Sequence, residues 1–358
     1  MPVLTAIDTM GVQRYVFGSN RLRDVVGASA LVRWATGTDD DGALAGLPPE
    51  AVIVAAGGNA ILRFSDLASA RDFAATYSRR LLNETPGLDV AIAHRKFHGG
   101  EVAPALLALQ VDIARVKLER RPSVPLLGLG VTAVCRETGL PAIGFDTADP
   151  TTPLSAQTLA MRKPATLDAA DQRWQKFLPK PPSGIGTVVF PKDIDHLGRR
   201  HGEFSLMGVV HIDGNGIGAK ISTWLRKAVN DELPDEQVVV ECGRWSRALN
   251  HLATRATRAV CDRVGAALRW RADGDPPGPF IEGSDPELSF LLRQRGGETQ
   301  LPVRPILMGG DDLTFICDGR IALSLAEAAL EEFDKTEIAP FGRIHACAGI
   351  ALCRTHTP

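Results

Sequence analysis

No Cys-x-x-C pair occurs in this chain, and its six cysteines lie singly at 135, 242, 261, 317, 347 and 353. They are too few and too scattered for a disulfide framework or a paired-cysteine zinc site, which points to a reducing compartment. An excess of one charge is missing too. Forty Lys and Arg face forty-two Asp and Glu, a formal net charge of −2, so bulk electrostatic attraction to nucleic acid is excluded and any polyanion must meet a local site. No apolar run reaches membrane-spanning length, and Met1-Pro2-Val3-Leu4 enters a strand-like segment without a basic start or cleavage site, so the expected location is the cytoplasm, away from membranes. What is present is a soluble globule of 358 residues, 44% hydrophobic and 23% charged, long enough for two cores.

A repeat organises the chain. Leu4 to Asp8 is a strand-like run ending in an acid, and a helical stretch follows through Leu31 to Ala35. Two strand-like runs, 51–55 and 61–64, flank Gly57-Gly58-Asn59-Ala60, and a helical segment over 67–83 leads to a strand at 88–93. The order β-α-β-β-α-β returns in the last third. Leu206 to Asp213 again ends in an acid, two long helical stretches follow (the second near 236–270), and strands over 303–308 and 313–317 flank Gly309-Gly310-Asp311-Asp312. Helix 321–333 and a final strand over 344–353 close the copy. Aligned on their glycines, the hairpins place 57–60 over 309–312, and the first lacks both acids. The expected fold is α+β, two ferredoxin-like βαββαβ domains over 1–121 and 204–358 joined by a small connecting region over 122–203.

In such a sheet the first and third strands are central neighbours running in opposite directions, so Asp213 and Asp311 come to one edge. Converging carboxylates raise each other's pKa unless a cation lies between them, which calls for Mg²⁺ or Mn²⁺, and such ions arrive with phosphates. Gly309 and Gly310 suit a tight turn; Gly214, Gly216 and Gly218 let backbone N–H groups approach an anion at a helix start. A two-metal site of this kind activates a 3′-hydroxyl and steadies departing pyrophosphate. Alone, Gly-Gly-Asp-Asp is an ordinary solvated turn; paired with an acid on the right strand of a repeated unit, it is a candidate site. A dinucleotide fingerprint is a poor match, since the glycines read G-x-G-x-G rather than G-x-G-x-x-G.

Three segments, Val210-His211-Ile212-Asp213-Gly214-Asn215-Gly216-Ile217-Gly218, Met308-Gly309-Gly310-Asp311-Asp312-Leu313 and Ala346 to Leu352, resemble the palm of the CRISPR polymerases, the large subunit of type III CRISPR effector complexes and its free-standing relatives. Gly11 to Phe17, with Arg23-Asp24 and Gly27-Ala28-Ser29, is similar to that family's first, catalytically degenerate palm. The resemblance implies two palms that face each other, bind ATP at their junction and join AMP units 3′–5′ into a cyclic oligonucleotide of antiviral defence. It makes Asp213 and Asp311 ligands of two Mg²⁺ or Mn²⁺ ions, Asp312 a further ligand or a carboxylate just behind them, and Ser29 part of the nucleotide pocket; Gly214, Asn215, Gly216, Gly218, Lys220, Gly309 and Gly310 are the other candidates for nucleotide contact. Diguanylate cyclases share this hairpin, so reaction class is better specified than base. The implied partners are nucleoside triphosphates, with RNA or CRISPR effector subunits beside them, in a monomer or homo-oligomer. The alternative is a catalytically silent palm scaffold that binds nucleotide or RNA.

Departures from the family matter as well. No His-Asp dipeptide marks a nuclease domain, and Cys135, followed by Thr138-Gly139-Leu140-Pro141-Ala142, stands without the paired cysteines of a zinc site, so neither DNase activity nor zinc is expected. The family's following helical domain has no counterpart before His356-Thr357-Pro358, which leaves a fragment or a chain that has lost assembly. Lys220 could reach a triphosphate or be solvated. Arg115, Lys117, Arg120 and Arg121 offer either RNA contacts or ordinary helix-end charge. His211 is expected on the sheet face opposite Ile212 in a structural role, and Cys347 and Cys353 on a buried face.

Overall fold

The structure, a computed structural model, describes residues 1–39, 42–120, 130–197, 206–273 and 277–354. Its main elements in chain order are β1 (Val3–Met10), α1 (Leu22–Thr36), β2 (Val52–Ala56), β3 (Asn59–Phe64), α2 (Leu67–Glu84), β4 (Asp89–Lys96), α3 (Val102–Glu119), α4 (Ala156–Arg162), α5 (Pro164–Gln175), β5 (Leu206–Gly214), α6 (Ile217–Asn230), α7 (Asp235–Ala267), β6 (Val303–Gly309), β7 (Asp312–Asp318), α8 (Ala322–Asp334) and β8 (Ala346–Arg354). The chain divides into two compact units: Met1–Ala170 with Gly216–Ala248, and Asp171–Asn215 with Leu249–Pro358. This division is not the linear one at 121 and 203. Helix α6 packs on α3, where Ser222 Oγ donates to Gln110 Oε1 at 3.0 Å, and so belongs with the first unit. Trp224 and Trp245 meet edge to face at 4.4 Å, which fixes α6 against the first part of α7.

In the first unit the antiparallel sheet has the order β2-β3-β1-β4. β1 is central and almost entirely buried, and Leu4, Ile7, Leu62 and Leu109 form a core of side chains with under 2% exposure. Each such burial contributes about 1.5–3 kcal/mol. Asp66 caps α2 by accepting from the Ser69 amide at 2.9 Å, a bond that, with the Ser65 and Ser69 hydroxyls, holds its carboxyl down at about 2. α1 and α4 pack at backbone distance. A Cβ on Gly27 would lie 2.0 Å from the Met161 carbonyl oxygen, so only glycine fits. One residue on, Arg162 grips Asp24 through Nε and Nη2 at 2.6 and 2.7 Å and Asp146 at 2.6 Å, a buried cluster that tolerates the loss of no partner.

The second unit's antiparallel sheet has the order β6-β7-β5-β8, the same sequence of strands. Even the irregularities coincide: the first edge strand bulges between Val52 and Val54, the second between Pro305 and Leu307. Pro305 is admissible because β6 is an edge strand and the bulge releases a ladder bond. α8 packs on β5 and β8. Strands Leu268–Arg271, Gly278–Ile281 and Phe290–Leu291 form one further small sheet; Gln294–Arg295, Glu298–Gln300 and Val188–Val189 form another. Runs of two to four residues are too short to show a period in sequence, and none is expected there from pattern.

Candidate active site

Alternation along β5 buries Gly208, Val210, Ile212 and Gly214 and turns Asp213 outward. His211 shares that outward parity, opposite Ile212 as expected, and its Nδ1 lies 2.8 Å from Thr314 Oγ1 on the neighbouring strand. β7 begins at Asp312 and pairs with β5, while Asp311 completes the turn from β6, so three acids from distant segments share one sheet edge. Asp312 hydrogen-bonds Asp213, which requires a proton on one carboxyl. Loss of hydration among crowded neighbours, then that bond, then the charges of Asp311 and Asp213 push Asp312 up to about 7. Asp311 is also raised, first by partial burial and then by the Asp213 charge. All the donors are carboxylate oxygens, the chemistry of a hard divalent cation. Among the described residues, no three His, Cys, Asp or Glu side chains form a ready-made cage; the structure gathers the Asp213–Asp312 pair with Asp311 beside it.

The turn is built around these acids. Gly310 takes φ 63°, whereas Asp311 stays out of the left-handed region, the φ pattern of a type II′ hairpin, which needs glycine at its first central position only. The Gly310 amide donates to Asn250 Oδ1 at 3.0 Å, and Arg173 Nη2 donates to the Met308 carbonyl at 2.6 Å. Neither Asn250 nor Arg173 stands out in sequence, since each acts alone from a helix. Gly309 pairs with Asp312 across the hairpin. Gly214 has a steric reason of its own: a Cβ there would lie 2.7 Å from the Asp311 Cβ.

The glycine-rich segment after β5 divides between the units. Asn215 stays with the acids, its amide donating to the His345 carbonyl at 2.7 Å and its Nδ2 to Cys347 Sγ at 3.3 Å. Gly216 takes φ 70° as it opens α6, and nothing lies within 4 Å of a Cβ added at Gly216 or Gly218. Gly216, Gly218 and Lys220 fall in the first unit, as does Ser29, which is buried at 2% exposure within α1. The structure therefore gathers Asp213, Gly214, Asn215, Gly309, Gly310, Asp311 and Asp312 in one unit and places the other four expected residues in the other. The cysteine expectation needs correction: Cys347 is exposed and Cys353 half-buried, because β8 is an edge strand with an open face. Cys135 is buried, 3.5 Å from Thr158 Oγ1.

The corresponding edge of the first unit is built differently. Ala60 stands opposite Ile7 and Ala56 opposite Asn59, as Leu313 stands opposite Ile212 and Gly309 opposite Asp312. Register thus places 56–59 over 309–312, one residue away from the alignment that the glycines suggest. Asn59 occupies the place of Asp312, and Gly58 that of Asp311. Gly57 and Gly58 both have positive φ, 60° and 83°, the pattern of a type I′ turn. A side chain at Gly58 is barred, since its Cβ would come 2.2 Å from Thr9 Oγ1. Thr9, the counterpart of Gly214, fills that space and donates its hydroxyl to the Gly58 carbonyl at 2.9 Å. Asp8, the counterpart of Asp213, meets Lys117 Nζ at 2.8 Å. Arg120 pairs with Asp89 at 3.0 Å and Arg115 lies 3.7 Å from Asp112, so these exposed cations have carboxylate neighbours within the unit; Arg121 lies outside the described residues.

Two α+β units with one strand order, only one of them carrying an acidic edge, define the class of fold. No family model matches the sequence and no curated protein is similar to it. Among solved structures the fold is that of Csm1. A Csm1–Csm4 cassette in complex with cA4 matches 100% of this chain and 50% of that one, with a TM-score of 0.57 and 15% identity. The same cassette with one ATP gives 100% and 51%, TM-score 0.53 and 14% identity. Csm1 in T. onnurineus gives 100% and 49%, TM-score 0.54 and 16% identity. The chain spans about half the length of the structures it matches. No helix of the described residues is long and apolar enough to cross a membrane.

Proposed function

We propose that the two units are ferredoxin-like palms and that the second is a nucleotidyltransferase that joins ATP through 3′–5′ linkages into a cyclic oligonucleotide. The observation that carries this reading is the Asp213–Asp312 pair beside Asp311, two carboxyls held close enough to share a proton at an edge that the first unit closes with Lys117 and Thr9. Such crowding costs stability unless a cation relieves it, so Asp213, Asp312 and Asp311 are the residues that would hold Mg²⁺ or Mn²⁺. A divalent ion there would supply charge for an attacking hydroxyl and a departing pyrophosphate. In each joining step a 3′-oxygen bonds to the α-phosphorus of a second ATP, the α–β anhydride bond breaks, pyrophosphate leaves and the hydroxyl proton passes to solvent. Gly214 keeps the space into which Asp311 projects, and Asn250 holds the turn that carries it. The likeness to Csm1 structures holding cA4 and ATP supports the substrate class. Gly216, Gly218, Lys220 and Ser29 remain candidates for nucleotide contact. Incubating the purified chain with each nucleoside triphosphate and Mn²⁺, with products identified by mass spectrometry, tests the reading. Cyclic adenylates are expected; tight ATP binding without any product would leave the silent scaffold.

A further inference from the structure

The two four-stranded sheets have four edge strands, and three of them carry a device that blocks a further strand. β2 bulges between Val52 and Val54. β4 bears Asp89, Arg95 and Lys96, and Arg120 Nη1 donates to its Val90 carbonyl. β6 holds Pro305 and a bulge, and Arg173 Nη2 donates to its Met308 carbonyl. Bulges, charges and proline are the usual protections of an edge. β8 has none of them: it lacks proline and pairs without a bulge along all nine residues from Ala346 to Arg354, of which only the last is charged. Among the described residues no strand lies on its other side. Leu352 of β8 is 55% exposed, and a groove of about 590 Å³ between α8 and β8 is lined by Leu323, Leu330, Ala348 and Ile350.

We infer that this edge pairs with the same edge of a second copy of the chain, antiparallel about a two-fold axis through Ile350. The direction of the backbone groups sets the register. The Asn215 amide donates to the His345 carbonyl, so odd-numbered residues of β8 bond to β5 and even-numbered ones turn N–H and C=O to the free side. Ile350 is the middle residue, and an axis there uses the whole strand. Ala348 then meets Leu352 of the second copy, small against large, on the face that α8 covers. The strand's one charge fits too: Arg354 meets Ala346 of the second copy, whose neighbour His345 lies 3.5 Å from Asp334. The groove's other acids, Glu327 and Glu331, each have Arg263 at 3.8 Å within their own copy, which limits repulsion across the axis. On the opposite face Cys347 meets Cys353 at a non-hydrogen-bonded position, where Cα atoms approach to about 4.5 Å, within the range a disulfide spans. A self-complementary edge of this kind makes a closed two-fold dimer. Because Cys347 also stands opposite Asp213 on β5, the second copy's strand runs two strand spacings, about 10 Å, from the strand that bears the acid. This inference does not depend on the catalytic reading.

Sedimentation velocity of the whole chain in reducing buffer, over a range of concentrations, tests it. A reversible dimer is expected, and a monomer at every concentration up to about 100 μM would overturn the inference. Ala348→Pro removes an N–H that faces the free side and none that bonds to β5, so it should melt near the parent and weaken the dimer at least about 10-fold. Leu352→Glu, at an exposed side chain, should weaken it as well. Register is read from the native cysteines. Diamide, which takes up the two electrons and two protons that a pair of thiols loses, should yield a reducible dimer, and Cys347→Ser or Cys353→Ser should each abolish it. The other four cysteines are buried and leave this readout clear. Asp311→Ala/Asp312→Ala should dimerise as the parent does, which separates this edge from the acids. A dimer unaffected by both Ala348→Pro and Leu352→Glu, or a cross-link that survives in either serine variant, would overturn the inference.

Discussion

The two sheet edges answer the same steric and electrostatic problem in opposite ways. Both end a central strand in aspartate beside a glycine hairpin. In the first unit a threonine on the strand occupies the space and the hairpin gives way with glycine; in the second the hairpin carries the side chain and the strand gives way, with Gly214. The charge follows the same exchange. Asp8 has a cation supplied by its own unit, Lys117, whereas Asp213 has another carboxyl. A neutralised, filled edge is a stable structural corner; a crowded, acidic one is strained until something positive arrives. The lesson is that the two edges differ by more than the presence of acids, because both the volume and the charge of the first edge are filled by its own residues.

The largest effect expected on this contrast comes from the acids. Asp213→Ala, or Asp311→Ala with Asp312→Ala, should reduce product formation at least about 100-fold while circular dichroism and melting stay near the parent. Undiminished turnover in a folded Asp213→Ala protein would move the site elsewhere. Next come the two space-keeping glycines, whose substitutions should have different outcomes. Gly58→Ala, which combines a 2.2 Å clash with φ 83°, should cost about 1–3 kcal/mol in denaturant unfolding. Gly214→Ala should instead displace Asp311 and lower activity at least about 10-fold. Equal effects of the two on activity would break the comparison.

A smaller effect concerns pH. Asp312 titrates at about 7 in the folded chain against 3.8 for an ordinary aspartate, so between those values the folded state keeps a proton that the unfolded state has released. This stabilisation is complete below pH 3.8 and lost as pH rises through 7. In metal-free buffer Asp312→Asn should therefore melt about 2 °C above the parent at pH 8, the gap closing towards pH 4, a shift kept small by solvent screening. A gap that widened towards acid would contradict the assignment. The smallest effect is predicted for Asn59→Ala, the counterpart of Asp312 without its charge, which should leave activity within about 2-fold.

Much of this architecture is legible from pattern. The strand and helix boundaries around both hairpins fall within about two residues of the periodicity, because β1, β5, α2 and α8 are long enough to display it. The acids are legible because the repeat brings them to one edge. The hairpin register is not: paired glycines attract an alignment, but turn type decides which residue faces which, and one turn needs two positive φ values where the other needs one. Thr9, Lys117 and Asn250 escape for a different reason, each acting across a distance that no local spacing records. The exposure of Cys347 depends on which strand lies at the sheet edge and on what covers it.

The chain's repeated passage between its units fixes an order of events during synthesis. Residues up to 170 and 216–248 complete the first unit, so it can close as soon as α7 has half emerged. The second unit must wait: β5 is complete at Gly214, but its partners β7 and β8 begin roughly 100 and 130 residues later, about 5–26 s at ribosomal speeds of 5–20 residues per second. For that interval an apolar central strand has both edges unpaired, a state open to mispairing and to capture by chaperones. The acidic edge is thus among the last features of the molecule to form, on a unit whose companion is already folded.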